Sequence, residues 1–155
     1  MKSIFYYDTP IGKLGLAESG GSITKILFEG FGAPEGYAVK ETALLVKAAA
    51  QLNEYFAGKR KSFDLPLAPD GTPFYKSVWN ALIKIGYGKT ASYKDVAAAV
   101  GNVKAVRAVG MANNRNPVPL IIPCHRVIGS DGKLVGYAGG LDVKKYLLDM
   151  ERRNV

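Results

Sequence analysis

The chain contains a single cysteine and a single histidine, and they are neighbours: Cys124 and His125, within Asn116-Pro-Val-Pro-Leu-Ile-Ile-Pro-Cys-His-Arg-Val127. A thiol attacks carbon as thiolate, a form that a nearby imidazole or guanidinium favours. Cys124 beside His125 and Arg126 therefore reads as a nucleophile, although a lone cysteine is more often a small core residue. Adjacent side chains in near-helical backbone do not face one another. His125 is thus expected to reach the sulfur through a bridging water, with a carboxylate behind the imidazole to fix its tautomer. In the second half of the chain the carboxylates are Asp95, Asp131, Asp142, Asp149 and Glu151, and the residues alone leave that choice open. One cysteine and one histidine are too few soft ligands for a structural zinc site, and neither metal nor cofactor is expected.

The approach to Cys124 is built to be rigid. Pro117, Pro119 and Pro123 each lock their own φ and push the preceding residue out of helical backbone. Leu120-Ile121-Ile122 is apolar and must be packed inside. Upstream, Ser92-Tyr-Lys-Asp95 is a capping box that opens a helix with Tyr93, Val96, Ala97 and Val100 on its stripe. Gly101-Asn102 is a turn, and a second helix is expected from Val103 to about Ala112. Val106, Val109 and Gly110 face inward on it, and Lys104, Arg107, Ala108 and Met111 outward. Two cations, a small residue that permits close approach and a flexible apolar one suit nucleic acid, so the pair reads as a helix-turn-helix. Downstream, Val127-Ile128 and Leu134-Val135 flank Gly129-Ser-Asp-Gly132 as a hairpin signal. Gly136-Tyr-Ala-Gly-Gly140 is a glycine-rich turn where backbone can approach a flat ligand. The last helix begins at about Asp142, with Val143, Tyr146, Leu147 and Met150 on one face and Glu151 at its edge, a position normally exposed.

The first part of the chain carries no comparable constellation. Ile4 to Tyr7, Leu14 to Ala17 and Ile23 to Phe28 read as a β-meander, and Thr42 to Phe56 as a helix with Leu45, Ala49, Leu52 and Phe56 on its stripe. Residues 65–73 hold three prolines and a glycine without periodicity and mark the boundary between a scaffold domain, 1–65, and a domain spanning 72–155. Thr72 is placed to cap a helix starting at Pro73, with Phe74, Val78, Leu82 and Ile85 as its buried stripe. The fold class is α+β: a β-meander/helix domain, then a mainly α domain with a winged-helix-like helix-turn-helix. Residues 1–70 carry 8 basic and 8 acidic side chains, whereas residues 71–155 carry 13 against 5, so the whole net charge of +8 belongs to the second domain. That imbalance fits a polyanionic partner as well as a solvated basic surface. No run is long enough to span a membrane, the N-terminus lacks the apolar core of a signal peptide, and one cysteine fits a reducing compartment; a cytoplasmic protein is expected.

Asn116 to Val127, followed by Gly136-Tyr-Ala-Gly-Gly-Leu141, closely resembles the O6-alkylguanine-DNA alkyltransferases, the methylated-DNA–protein-cysteine methyltransferases. The likeness covers residues 72–155 well and 1–65 more weakly. It implies a monomer that binds double-stranded DNA containing O6-alkylguanine, leaves O4-alkylthymine open as a second lesion, rotates the base out of the stack, and moves the alkyl group irreversibly to Cys124. It also chooses Glu151 as the carboxylate of a Glu151–His125–water relay. By the same resemblance Asn116 organises the turn before the cysteine strand, and Tyr137 donates to guanine N3. Arg107 fills the vacated place in the duplex, and Tyr93 crowds the flipped phosphate. Ser92, Lys104 and Ala108 belong to the DNA face. Val127, Ala138, Gly139 and Asn113 border the base. Ala138 stands where the human-type pattern has serine, leaving only its amide for O6, and Asn113 where that pattern has an apolar residue.

Three other readings make different demands. An alkyltransferase-like lesion-binding protein lacks the cysteine. A winged-helix regulator would keep its function in Cys124→Ala. A Cys-His-Glu hydrolase would turn over a small substrate, which the adjacent Cys-His pair and the basic helix face do not suit.

Overall fold

The computed structural model describes residues 1–155 and divides into two units, Met1–Asp70 and Gly71–Val155. The division falls inside the proline-rich stretch.

In the first unit β1 (Lys2–Thr9), β2 (Gly12–Ser19) and β3 (Ser22–Leu27) form the expected antiparallel meander. The β2–β3 connection is two residues, Gly20 and Gly21, both at positive φ (61° and 85°). A two-residue hairpin loop needs that geometry to match the twist of its strands, and glycine adopts it without penalty. A fourth strand, β4 (Ala38–Val39), pairs in parallel with β1, so the order is β3-β2-β1-β4. Sequence reasoning missed β4 because it is two exposed residues without a pattern. α1 (Ala43–Phe56) begins where Thr42 caps it, its hydroxyl accepting from Leu45 N at 3.2 Å. The helix buries Leu45, Ala48, Ala49, Leu52, Tyr55 and Phe56, which with Ile4, Leu14, Leu16, Ile23 and Ile26 make this unit's core.

The second unit starts with α2 (Pro73–Ile83), capped by Thr72 with proline at the first helical position, where no N–H is needed. Its buried residues are Val78, Leu82 and, unforeseen, Trp79, whose Nε1 donates to Ala112 O at 2.9 Å. A Cβ on Gly71 would lie 2.5 Å from that indole, so glycine is required there. α3 (Tyr93–Ala99) has both hydrogen bonds of the Ser92–Asp95 capping box. α4 is Val106–Asn114 rather than 103–112. Gly101 ends α3 at φ 79°, and residues 102–105 are spent in a turn closed by Ala105 N to Asn102 O at 3.0 Å. Position 105 also offers no capping side chain.

The hairpin expected from Val127-Ile128 and Leu134-Val135 does not form. β6 (Val127–Ile128) pairs in parallel with β5 (Ala91–Ser92) instead. The turn itself is present, with Gly129 N bonded to Lys133 O at 2.9 Å, but the Val135 carbonyl is taken by the side chains of Lys144 and Tyr93. α5 (Leu141–Arg153) is turned relative to the expected stripe. It buries Lys144, Leu147, Leu148, Met150 and Glu151, while Tyr146 is exposed. No helix is long and apolar enough to cross a membrane.

Candidate active site

Residues 116–127 fold into a packed turn that ends in a one-turn 3₁₀ helix, Cys124–Arg126. Asn116 holds it from within. Its Nδ2 donates to Ile122 O at 2.7 Å, and its Oδ1 accepts from Val118 N at 2.9 Å. Leu120, 1 % exposed, sits at φ 74°, a left-handed conformation that costs a bulky residue free energy and persists only where packing imposes it. The three prolines thus rigidify a segment that is also strained, and Cys124 follows directly, with its N–H on Ile122 O at 2.8 Å.

Cys124 is 5 % exposed and His125 and Glu151 are fully buried. His125 Nε2 lies 2.7 Å from Glu151 Oε2. Arg126 Nε donates to Oε1 at 2.9 Å and its Nη2 to Oε2 at 3.1 Å, while Gly88 N adds a bond to Oε1 at 3.2 Å. Arg126 is itself held by Ile85 O at 2.7 Å and lies over the Tyr87 ring. Burial alone would raise the Glu151 pKa. The hydrogen bonds and charges of His125 and Arg126 outweigh it and bring the carboxyl down to about 2. Burial pulls the His125 pKa down, against the opposing pull of Glu151, which keeps the imidazole neutral at pH 7. A neutral imidazole whose Nε2–H points at an ionised carboxylate carries its basic lone pair on Nδ1.

Burial pushes the Cys124 thiol up to about 11, opposed by an Asn116 hydrogen bond, the Lys144 charge and nearby backbone N–H groups. The resting sulfur is a thiol, and a base must remove its proton. This corrects the expectation that Arg126 favours the thiolate: its guanidinium is committed to Glu151. The cation acting on the sulfur is Lys144, which the sequence reading passed over. A signal for it existed, since Lys144, Leu147, Leu148 and Glu151 are spaced i, i+3, i+4 and i+7. Reading only apolar residues rotated the stripe off both charged ones.

The remaining candidates fall into two groups. Tyr137 presents a buried hydroxyl, and its pKa is raised by burial and then by the charges of Cys124 and Glu151. Val127 and Asn113 are buried, Gly139 is half-buried and Ala138 exposed. Asn113 Oδ1 has no hydrogen-bond partner. On the outer side Arg107, Ala108 and Met111 are exposed on α4, whereas Lys104 is exposed in the turn before the helix and not on it. Ser92 uses its hydroxyl to cap α3. Tyr93, half-buried at the first position of α3, reaches Val135 O at 3.4 Å.

A family model described as 6-O-methylguanine DNA methyltransferase, DNA binding domain, matches residues 73–153, and one described as the ribonuclease-like domain of the same methyltransferase matches residues 4–69. The chain is 49 % identical over 149 residues to a methylated-DNA–protein-cysteine methyltransferase of Methanosarcina acetivorans, covering 94 % of this chain and 95 % of that one. It is likewise 49 % identical over 152 residues to the constitutive protein of that name from Bacillus subtilis, covering 94 % and 92 %. Among solved structures, Mycobacterium tuberculosis OGT in complex with DNA superposes with a TM-score of 0.94 at 42 % identity, covering 99 % of this chain and 94 % of that one.

Proposed function

From a chain that belongs to the 6-O-methylguanine DNA methyltransferase family, we infer a DNA-repair protein that takes the alkyl group of O6-alkylguanine in duplex DNA onto its own Cys124. The observation that carries this reading is the buried relay. The chain's one thiol lies in the same 3₁₀ turn as an imidazole whose far nitrogen is 2.7 Å from an ionised carboxylate. Arg107, Ala108 and Met111 on α4, with Lys104 before it, form the DNA face, and Arg107 is the side chain long enough to occupy the space of an extruded base. Tyr93 and Ser92 sit where α3 begins, Ser92 as part of the DNA face and Tyr93 crowding the flipped nucleotide's phosphate. Val127, Asn113, Ala138 and Gly139 border the base.

The reaction is a single displacement. The Cys124 proton passes through one water to His125 Nδ1, and Glu151 stabilises the imidazolium as it forms. The sulfur attacks the alkyl carbon, the carbon–O6 bond breaks, and its electron pair stays on the purine. Tyr137 donates a hydrogen bond to N3 and eases that departure; the imidazolium gives the thiol's proton back to water, the guanine anion takes one from water, and unmodified guanine remains in the strand. The product is a thioether, stable to water and thiols, so each molecule acts once. The protein acts as a cytoplasmic monomer.

Mass spectrometry of intact protein after exposure to duplex containing O6-methylguanine tests this directly. One methyl mass per chain, mapped to Cys124 and missing in Cys124→Ala, is the expected result. Folded wild-type protein that acquires no mass would refute it.

A further inference from the structure

A carboxamide oxygen buried without a hydrogen bond is rare, because leaving it unpaired costs more than an apolar side chain of similar shape would. Asn113 carries such an oxygen: the residue is 2 % exposed, and its Oδ1 is out of solvent and accepts no hydrogen bond. Its surroundings are those of the candidate site. One turn earlier on α4, Gly110 packs beside the Tyr93 ring, where an added Cβ would lie 3.9 Å from two ring carbons. The next residue, Asn114, meets the glycine-rich loop, its Oδ1 3.5 Å from where a Cβ on Gly136 would stand. Just past the helix, Asn116 holds the cysteine turn through Ile122 O and Val118 N. Residues three apart on a helix share a face. The Asn113 side chain therefore leaves α4 on the side of Gly110, where Tyr93, the glycine-rich loop and the cysteine turn converge. A leucine or methionine would fill that place and leave no polar atom unsatisfied.

We propose that Asn113 determines which lesion the site accepts: its free carboxamide oxygen takes a hydrogen bond from the 2-amino group of the alkylated guanine. The proposal rests on the transferase reading above and deepens it. The chemistry of the lesion leaves one choice of donor. Alkylation at O6 removes the hydrogen from N1, the sugar occupies N9, and N3 and N7 are acceptors. The 2-amino group is then the only hydrogen-bond donor on the base. O4-alkylthymine has none, because alkylation at O4 removes the hydrogen from N3 and leaves only acceptors. A buried acceptor that stays unpaired in the complex keeps its desolvation penalty, so a site that presents one rejects a base that cannot donate. Asn113 thereby favours the purine lesion over the pyrimidine one.

The test is single-turnover methyl transfer to Cys124 from duplexes that differ only at the lesion, in wild type and Asn113→Leu. The lesions are O6-methylguanine, O6-methylhypoxanthine, which has hydrogen in place of the 2-amino group, and O4-methylthymine. The preference for O6-methylguanine over O6-methylhypoxanthine should be about tenfold smaller in Asn113→Leu than in wild type, the worth of one hydrogen bond to a buried acceptor. The preference over O4-methylthymine should shrink by a similar factor. A merely structural amide would slow transfer from all three lesions alike, so preferences that are equal in the two proteins overturn the proposal. If Asn113→Leu fails to fold, Asn113→Met carries the same comparison. Folded wild-type protein that takes up no methyl group from O6-methylguanine would instead defeat the transferase reading itself.

Discussion

Glu151→Gln is the most informative single change, because its cost can be worked out from the structure in two ways. The carboxylate accepts from His125 Nε2, Arg126 Nε, Arg126 Nη2 and Gly88 N, and each of its oxygens faces two of these groups. A glutamine must turn its NH₂ toward one such pair, setting donor against donor, and it leaves the buried guanidinium without a counter-charge. Breaking a buried pair by removing one partner costs about 3–5 kcal/mol. Independently, the Glu151 carboxyl falls from the ordinary 4.5 to about 2 on folding, which corresponds to about 3 kcal/mol at neutral pH. The sign follows from the direction of that shift. A carboxyl whose pKa is depressed by folding stabilises the fold above its unfolded value and loses that contribution as pH falls toward its folded value. The assay is chemical denaturation of wild type and variant in parallel from pH 7 to pH 2, so that other carboxylates cancel in the difference. The gap should be about 3 kcal/mol at pH 7 and shrink steadily between roughly pH 4.5 and pH 2. Methyl transfer, measured well below the variant's melting temperature, should slow about 10²-fold or more, since the imidazole loses the group that fixes its tautomer. A stability gap that does not change with pH would refute the assignment of Glu151 as an ionised, clamped carboxylate. An unchanged transfer rate would remove it from the relay.

Two further outcomes follow from the same geometry. Arg107→Ala should slow repair of an alkylated base in duplex DNA by more than it slows transfer from the free alkylated base. Equal slowing in the paired single-turnover assays would refute the base-replacing role proposed for Arg107. Asn116→Ala removes the partners of Ile122 O and Val118 N and should cost about 1–3 kcal/mol by denaturant unfolding. Transfer should also slow in Asn116→Ala, and full activity would show that the turn holds Cys124 without it.

Much of the local structure was legible in the residues. Thr72 before Pro73, Thr42 before Ala43 and the Ser92–Asp95 box each set a helix start through a hydrogen bond from a backbone N–H three residues on, so a short window suffices. The β2–β3 loop is likewise dictated by two glycines that alone tolerate its φ values. Cys124 was legible as a candidate nucleophile for a chemical reason: the chain's one thiol adjoins its one imidazole behind three prolines. What misled was patterning without tertiary partners. Val135 has the look of a strand residue, but its carbonyl is claimed by a lysine from α5 and a tyrosine from α3. Only a few residues of turn displaced the start of α4, because no side chain at position 105 marks it.

The chain by itself determines which group is the candidate nucleophile, where the capped helices begin, and that one half carries all the excess positive charge, because these depend on residue identity and on neighbours within a turn or two. The roles of the charged residues around the sulfur were decided only by the folded structure. Arg126 is adjacent to His125 in sequence yet serves Glu151, 25 positions away. Lys144, 20 positions from Cys124, supplies the charge that arginine was expected to supply. Electrostatic partnership depends on distance and burial in space, and both are set when α5 packs its polar stripe against the cysteine turn.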